Sequence, residues 1–340
     1  MKPSPFYSFI RRNATRLAIG FFIFSALVTS LTLLFILFAR KPAPSSPSFL
    51  SLPSLPFLHT STPSPTATAT ITPVLPSIPF TPTIPFTPTI TSTPTLTLTS
   101  TPLPPEGEAF SIGKSIEGKS LDIYRFGSGP IVRVIIGAIH GGYESNTATL
   151  VWLLRDDLRK GTMTVPEDIT LYLLPVFNPD GFYDFTNQPE GRSNMRGVDL
   201  NRNWDVYWKP DWVRTGCFNY IRLTAGEAPF SEPEAQALRE FLSDNHVDAL
   251  ISYHSAMSAI FAGGRPEPDA ASDSLARALS VVSFYLYPPV NDPGCEYTGQ
   301  LIDWASAHGI AAVDVELTDH QSTDIDINRK VLRAFLTWKR

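Results

Sequence analysis

Apolar and polar positions divide this chain into three stretches with different periodicities. Leu17 to Ala39 is a run without a charged residue. At ~1.5 Å per residue, its about 23 residues reach ~35 Å, enough to cross a ~30 Å hydrocarbon core with some tilt. Residues 42–105 follow neither a helical nor a strand period. From about residue 106 onward, short apolar runs alternate with segments of helical spacing. Ile131–Gly137, Ile169–Val176, Asp248–His254 and Ile310–Leu317 read as buried strands. Asn146 to Lys160 reads as a helix with Leu150, Leu153, Leu154 and Leu158 on one face. Further helices are predicted over Glu232–Asn245, Ala271 to about Leu286, Thr298–His308 and Ile325–Arg340. Ser231 predicts an N-cap, with Pro233 in the first turn and Glu234 as the returning carboxylate of a capping box. Gly309 predicts the stop of the Thr298 helix.

Strands that are apolar throughout, rather than alternating, predict a mostly parallel sheet covered by helices on both faces. In such sheets ligands bind at the carboxyl ends of the strands. His140, His254 and Glu316 each fall at or just beyond such an end.

Composition and charge then place the three stretches. Residues 42–105 are Pro, Thr and Ser with scattered apolar residues, and carry no Asp, Glu, Lys or Arg. About half of the chain's 32 prolines fall there, which forbids a regular helix or a central strand. Ile78-Pro79-Phe80-Thr81-Pro82-Thr83 repeats at once as Ile84-Pro85-Phe86-Thr87-Pro88-Thr89. An extended polyproline segment of about 64 residues reaches on the order of 200 Å, which fits a spacer better than a peptide-binding tract. Lys2, Arg11, Arg12 and Arg16 precede the apolar run, and only Arg40 and Lys41 follow it. This bias keeps the N-terminus in the cytoplasm and exports the rest. An uncleaved signal-anchor fits the length of the run; a long cleaved signal peptide is the alternative, and both put the globular part outside. The expected organisation is a cytoplasmic segment 1–16, a transmembrane anchor 17–39, a linker 40–105 and one globular domain 106–340. The net charge of -5 and the lack of a basic stripe give no signal for nucleic acid. Cys217 and Cys295 do not make a disulfide scaffold or a zinc knuckle. Outside the cytoplasm they could form one disulfide; two unpaired thiols are the alternative.

The candidate chemistry is scattered along the globular part. In order it comprises His140-Gly141-Gly142-Tyr143-Glu144, Asn178-Pro179-Asp180-Gly181, Arg192, Gly197-Val198-Asp199-Leu200-Asn201-Arg202-Asn203, His254-Ser255 and Glu316. Two imidazoles and a carboxylate can bind one zinc and leave a position open for water. A further carboxylate can act as base, and arginines can hold an anionic substrate. Glu316 sits in the otherwise apolar run Val313-Asp314-Val315-Glu316-Leu317, and a buried carboxylate is costly unless paired or functional.

Asn178-Pro-Asp-Gly181 and Gly197-Val-Asp-Leu-Asn-Arg-Asn-Trp204, in order with His254-Ser255 and Glu316, resemble the zinc carboxypeptidase family, most closely its bacterial murein tripeptide amidase-like branch. The resemblance runs from Ile112 to the last helix. It implies a three-layer α/β/α domain on a mostly parallel, mixed sheet, with one zinc per chain. By that resemblance His140, Glu144 and His254 look like the zinc ligands and Asp199 like the acid that orients His140. Glu316 looks like the general base and Arg192 like the oxyanion-stabilising arginine. Asn201 and Arg202 look like the clamp on a terminal carboxylate, a bidentate task suited to guanidinium.

Two positions depart from the family pattern. Three residues separate His140 from Glu144 where the family usually has two, so the extra residue must bulge. Counting back from Asp303-Trp304 puts Cys295 where the family carries a mobile tyrosine, with Tyr297 two residues later as the candidate for that role. Ile302 falls where the family sets side-chain preference, and an apolar residue there implies a hydrophobic terminal residue. The bacterial likeness instead implies cell-wall peptides with a polar diaminopimelate end, and these two expectations conflict. The resemblance therefore implies a membrane-anchored metallocarboxypeptidase acting on peptides. A murein peptide amidase cutting D-glutamyl–diaminopimelate bonds is the enzyme alternative, and a non-catalytic peptide- or wall-binding module is the alternative of another class.

Overall fold

The computed structural model describes residues 104–213, 221–290 and 296–340. The expected anchor, nearly all of the linker, and Cys217 and Cys295 lie outside the described residues, so the anchor and the disulfide stay expectations. Among the described residues no helix is long and apolar enough to cross a membrane.

The four apolar runs form the centre of one sheet, for a physical reason that their sequences already carry. A strand buried on both faces has no polar side to show, and all six residues of Ile169–Leu174 and all seven of Ala249–Ser255 are buried. The strands are β1 (Ala109–Lys114), β2 (Ser120–Gly127), β3 (Ile131–Ile136), β4 (Ile169–Leu174), β5 (Ala249–Ser255), β6 (Ile260–Ala262) and β7 (Ala311–Leu317). Their order in the sheet is β1-β2-β4-β3-β5-β7-β6. The central β4, β3, β5 and β7 run parallel, and β1, β2 and β6 complete the edges antiparallel. The sheet is therefore mixed, with a parallel heart.

Side chains of successive residues leave opposite faces of a strand, and two separate cores show it. Ile135, Ile251, Tyr253, Val313, Val315 and Leu317 pack on one side with helices α1 (Ser145–Arg159), α4 (Ala270–Val282) and α6 (Ile325–Thr337). Val134, Ile136, Leu250 and Ala312 pack on the other with α3 (Pro233–Asp244), α5 (Leu301–Ala307), Trp204 and Phe230. A short α2 (Pro179–Asp184) completes the helices among the described residues. Arg133, the charge inside the apolar β3, lies over the rings of Phe335 and Trp338 and donates to the Phe335 and Trp338 carbonyls, tying α6 to the sheet.

Several boundaries differ from expectation. The Ala271 helix ends at Val282, and the last helix ends at Thr337. The helix expected from Thr298 starts only at Leu301. Gly299 has φ of 55°, and a Cβ there would stand 2.4 Å from the Arg202 carbonyl oxygen, so the segment before the helix is spent on a close backbone approach. The expected capping box does not form. Glu232 is the N-cap residue of α3, its N–H donates to Asn203 Oδ1 at 3.1 Å, and Glu234 accepts from the Ile116 N–H at 3.1 Å. Strands β1, β2 and β6 were not anticipated, although Leu121 and Ile123 of β2 alternate with exposed residues as a strand should.

Candidate active site

The site is built where three parallel strands end side by side. On β5 and β7 the register places Ser252 opposite Asp314 and His254 opposite Glu316. Residues two apart in a strand share a face, so these four polar side chains project from one side of the sheet. His140 follows β3 by four residues and leads into a single 3₁₀ turn, Gly141–Glu144. That turn absorbs the extra residue between His140 and Glu144. Glycine is needed at 142 because a Cβ would stand 2.3 Å from the Phe185 carbonyl oxygen. Asp199 accepts from the Asn201 N–H at 2.9 Å and so opens the short turn Leu200–Arg202.

His140, Glu144 and His254 come together as a buried cluster whose candidate ligand atoms all lie within 4.8 Å of one another. Nδ1 of His140 is 2.7 Å from Glu144 Oε1, and Nδ1 of His254 is 3.1 Å from Glu144 Oε2. The two Nδ1 atoms are 3.3 Å apart. Two nitrogens each ~2.0–2.1 Å from a tetrahedral ion stand about 3.3–3.4 Å apart. The donor set and this spacing fit zinc with a coordination position to spare. The far side of each imidazole meets a carboxylate: His140 Nε2 is 3.3 Å from Asp199 Oδ1, and His254 Nε2 is 3.4 Å from Asp314 Oδ1. Arg192 holds Asp199 through its Nε at 3.0 Å and points Nη1 toward Glu144 Oε1 at 3.7 Å.

Burial and neighbouring charge set the protonation of these groups. Burial alone would raise the Glu144 carboxyl, but the imidazoles of His140 and His254 outweigh it and hold it below its ordinary value. Burial likewise opposes ionisation of Asp199, and Arg192 and His140 pull it well below the carboxylate range. His254 is pushed down by burial and, more strongly, up by Asp314 and Glu144, ending well above its ordinary value. Glu316 goes the other way. Burial, reinforced by the Glu144 and Asp314 carboxylates, raises it to about 8. Its Oε2 is shielded from solvent and has no hydrogen-bond partner among the described residues.

A cleft of about 1120 Å³ opens over the cluster. Arg192, Asn201, Arg202, Tyr297, Ile302 and Glu316 line it together with His140, Glu144, Asp199 and His254, so the residues given a role in the expected chemistry border one space. The Asn201 Oδ1 accepts from the Leu301 N–H at 3.0 Å, which leaves its amide nitrogen toward His254. Arg202 is buried, its Nε lacks a hydrogen-bond partner among the described residues, and its guanidinium lies 5.5 Å from the Trp212 ring and 5.9 Å from the Tyr297 ring.

Two motif segments turn out to be scaffold. Asn178 caps α2 through Gly181 N–H, and Asp180 accepts from Ser115 Oγ at 2.7 Å and Lys119 Nζ at 3.1 Å, away from the cleft. Asn203 bridges the Ala225 carbonyl and the Glu232 N–H. Sequence reasoning assigned no role to Asp314, Ser252, Arg265 or His320, although Asp314, Arg265 and His320 line the cleft. The signal for Asp314 was present: it stands two residues before Glu316 in an apolar strand and must share its face.

The sequence pattern of the zinc carboxypeptidase family (Peptidase_M14) matches residues 103–329. The chain belongs to this family. Human carboxypeptidase A6 is 29% identical over 246 residues, which cover 62% of this chain and 55% of that protein. Mouse carboxypeptidase A1 is 27% identical over 231 residues, 58% of this chain and 54% of its own length. The chain thus spans about half the length of the curated relatives it matches. Among solved structures, bovine thrombin-activatable fibrinolysis inhibitor shares the fold with a TM-score of 0.53 at 22% identity, over 67% of this chain and 86% of that one. Zinc is the metal of the family, and His140, Glu144 and His254 form a buried group that could hold a metal ion.

Proposed function

We propose that this chain is a zinc metallocarboxypeptidase that hydrolyses the peptide bond next to a free C-terminal carboxylate. The observation that carries the reading is the 3.3 Å separation of the two Nδ1 atoms around Glu144, beneath a cleft that also holds Glu316 and Arg202. Zinc held by His140, Glu144 and His254 would supply a Lewis acid for the scissile carbonyl and for the attacking water. Glu316, opposite His254 on the neighbouring strand, takes the proton of that water and later delivers it to the leaving amine. Arg192, fixed by Asp199, offers donors to the oxyanion as charge develops. Asn201 and Arg202 hold the terminal carboxylate, and burial of Arg202 keeps its guanidinium in place without competing solvent. Tyr297, beside Arg202, closes over that carboxylate, and Ile302 borders the space for the terminal side chain. Asp199 fixes the tautomer of His140.

The organisation of the chain belongs to the same proposal. Residues 17–39 anchor it in a membrane with the N-terminus cytoplasmic, 40–105 act as a spacer, and 106–340 form the catalytic domain outside. This rests on the charge-free run, the placement of basic residues and the proline-rich composition.

The test is elemental analysis of the purified full chain, followed by incubation with short peptides. About one zinc per chain, and release of single C-terminal residues that stops when the C-terminus is amidated, are the expected results. Cleavage confined to a D-glutamyl–diaminopimelate peptide would replace this reading with a wall amidase. Zinc binding without hydrolysis of either substrate would point to a binding module.

A further inference from the structure

The two histidines of the cluster are held alike, yet only one of the two carboxylates behind them has an evident role in the family pattern. Asp199 backs His140 and also accepts from Arg192 Nε and Asn201 N–H. Asp314 backs His254 from β7, two residues before Glu316 and in register with Ser252. It is 5% exposed, and its Oδ1 has no hydrogen-bond partner by strict geometry among the described residues. A carboxylate oxygen buried without a partner is costly. Among the described residues the ring nitrogen that faces it is His254 Nε2, 3.4 Å away, with the Ser252 hydroxyl 3.1 Å and the Asn201 amide nitrogen 3.5 Å from the same nitrogen.

We propose that Asp314 is a positioning residue for His254: its carboxylate accepts the Nε2–H hydrogen bond and fixes the tautomer that leaves Nδ1 as the metal-binding atom. An imidazole carries one proton when neutral, so holding it on Nε2 frees the Nδ1 lone pair. An anionic acceptor also makes that lone pair more basic, as second-sphere carboxylates do for ligating histidines. The sheet register makes the arrangement rigid. Asp314 and His254 sit on hydrogen-bonded neighbouring strands, so their backbone separation is fixed by the register of β5 on β7. This inference rests on the proposed zinc site.

Zinc affinity of the full chain, measured by competition with a chromophoric chelator, tests it, alongside the visible spectrum of the cobalt-substituted protein. Asp314→Ala should weaken zinc binding about 10–100-fold and alter the cobalt spectrum. Asp314→Asn keeps an acceptor oxygen and should recover most of the affinity. Asp314→Leu fills the volume with apolar atoms and gives the same deletion if the alanine variant does not fold. Unchanged zinc affinity and an unchanged cobalt spectrum in Asp314→Ala or Asp314→Leu would overturn the proposal. So would a loss in Ser252→Ala without one in the Asp314 variants, since the hydroxyl would then be the group that holds the ring. If the wild-type chain binds no zinc, the proposed function itself fails. If it binds zinc and the Asp314 variants match it, only this inference fails.

Discussion

Replacing Glu316 by glutamine separates the base from the fold. Glu316 is opposite His254 on neighbouring strands, and its Oε2 is shielded and unpartnered among the described residues. Burial raises its carboxyl to about 8, so near neutral pH the metal-free protein holds it largely protonated. Glutamine has nearly the shape of that protonated carboxyl, and the substitution breaks no hydrogen bond to a described residue. The metal-free variant should therefore melt at or above the wild-type temperature, and zinc stoichiometry should not change, because Glu316 is outside the His140–Glu144–His254 cluster. What glutamine cannot do is accept the proton of the attacking water. A positioned general base contributes ~10²–10⁴ in rate, which corresponds to ~3–5 kcal/mol in the barrier. The assay is release of the C-terminal residue from a short peptide, with kcat and KM determined separately. The loss should appear in kcat, and KM should stay within a few-fold because Asn201 and Arg202 are untouched. Glu316→Asp retracts the carboxylate by one methylene and should fall between the two, as ~1 Å displacements of reacting groups cost up to ~10²-fold. If zinc-loaded Glu316→Gln keeps kcat within about tenfold of wild type, the base has been misassigned.

Three further outcomes are expected. Arg202→Lys should raise KM for peptides with a free carboxylate by about 10-fold or more while leaving the binding of amidated analogues, read as competitive inhibition, unaffected, because lysine offers a point charge in place of a planar fork; equal effects on both would remove Arg202 from carboxylate recognition. Chelation should lower the melting temperature of the wild-type chain, since it leaves Glu144 and the two imidazoles buried without the ion, and re-addition of zinc should restore it; an unshifted melt would mean that no metal had been bound. Burial raises the Glu234 carboxyl to about 7, so the folded chain keeps a proton there that an unfolded carboxyl, near about 4.3, has released. Its contribution is full below that unfolded value and is lost as pH rises through about 7, by up to ~1.4 kcal/mol per pH unit. Glu234→Gln should therefore gain stability relative to wild type between about pH 5 and pH 8, as read by urea unfolding, and a difference that is flat with pH would contradict the buried titration.

Much of the fold was legible because the central strands are buried on both faces. β3, β4, β5 and β7 are apolar runs that solvent exposure would make costly, and each was read within two residues of its observed limits. The edge strands were not read. Ile260–Ala262 is three residues long, too short for any period to show, and it exists only because β7 offers an open edge. The capping box failed for a related reason. Ser231 and Glu234 have the right spacing, but the Asn203 amide donates to Ser231 Oγ and the Ile116 N–H donates to Glu234, both from segments distant in sequence.

The site divides along the same line. By itself the sequence determined which residue types were available for chemistry: two histidines, Glu144, Glu316 and the Asn201-Arg202 pair, each in a setting where burial of a polar group demands a reason. Periodicity also put Asp314 and Glu316 on one face. The sequence could not tell whether an extra residue before Glu144 would pull it off the metal position. That depended on a 3₁₀ turn pressed against the Phe185 and Gly181 carbonyls, a contact between segments about forty residues apart. Nor could it distinguish scaffold from site in Asn178–Gly181 and Asn203. The pairing of His254 with Glu316, and of Ser252 with Asp314, is a matter of sheet register, fixed by the packing of two cores on opposite faces. Local composition selects the groups, but distances of 3 Å between them are decided by the elements that bury them, and only the tertiary structure sets those.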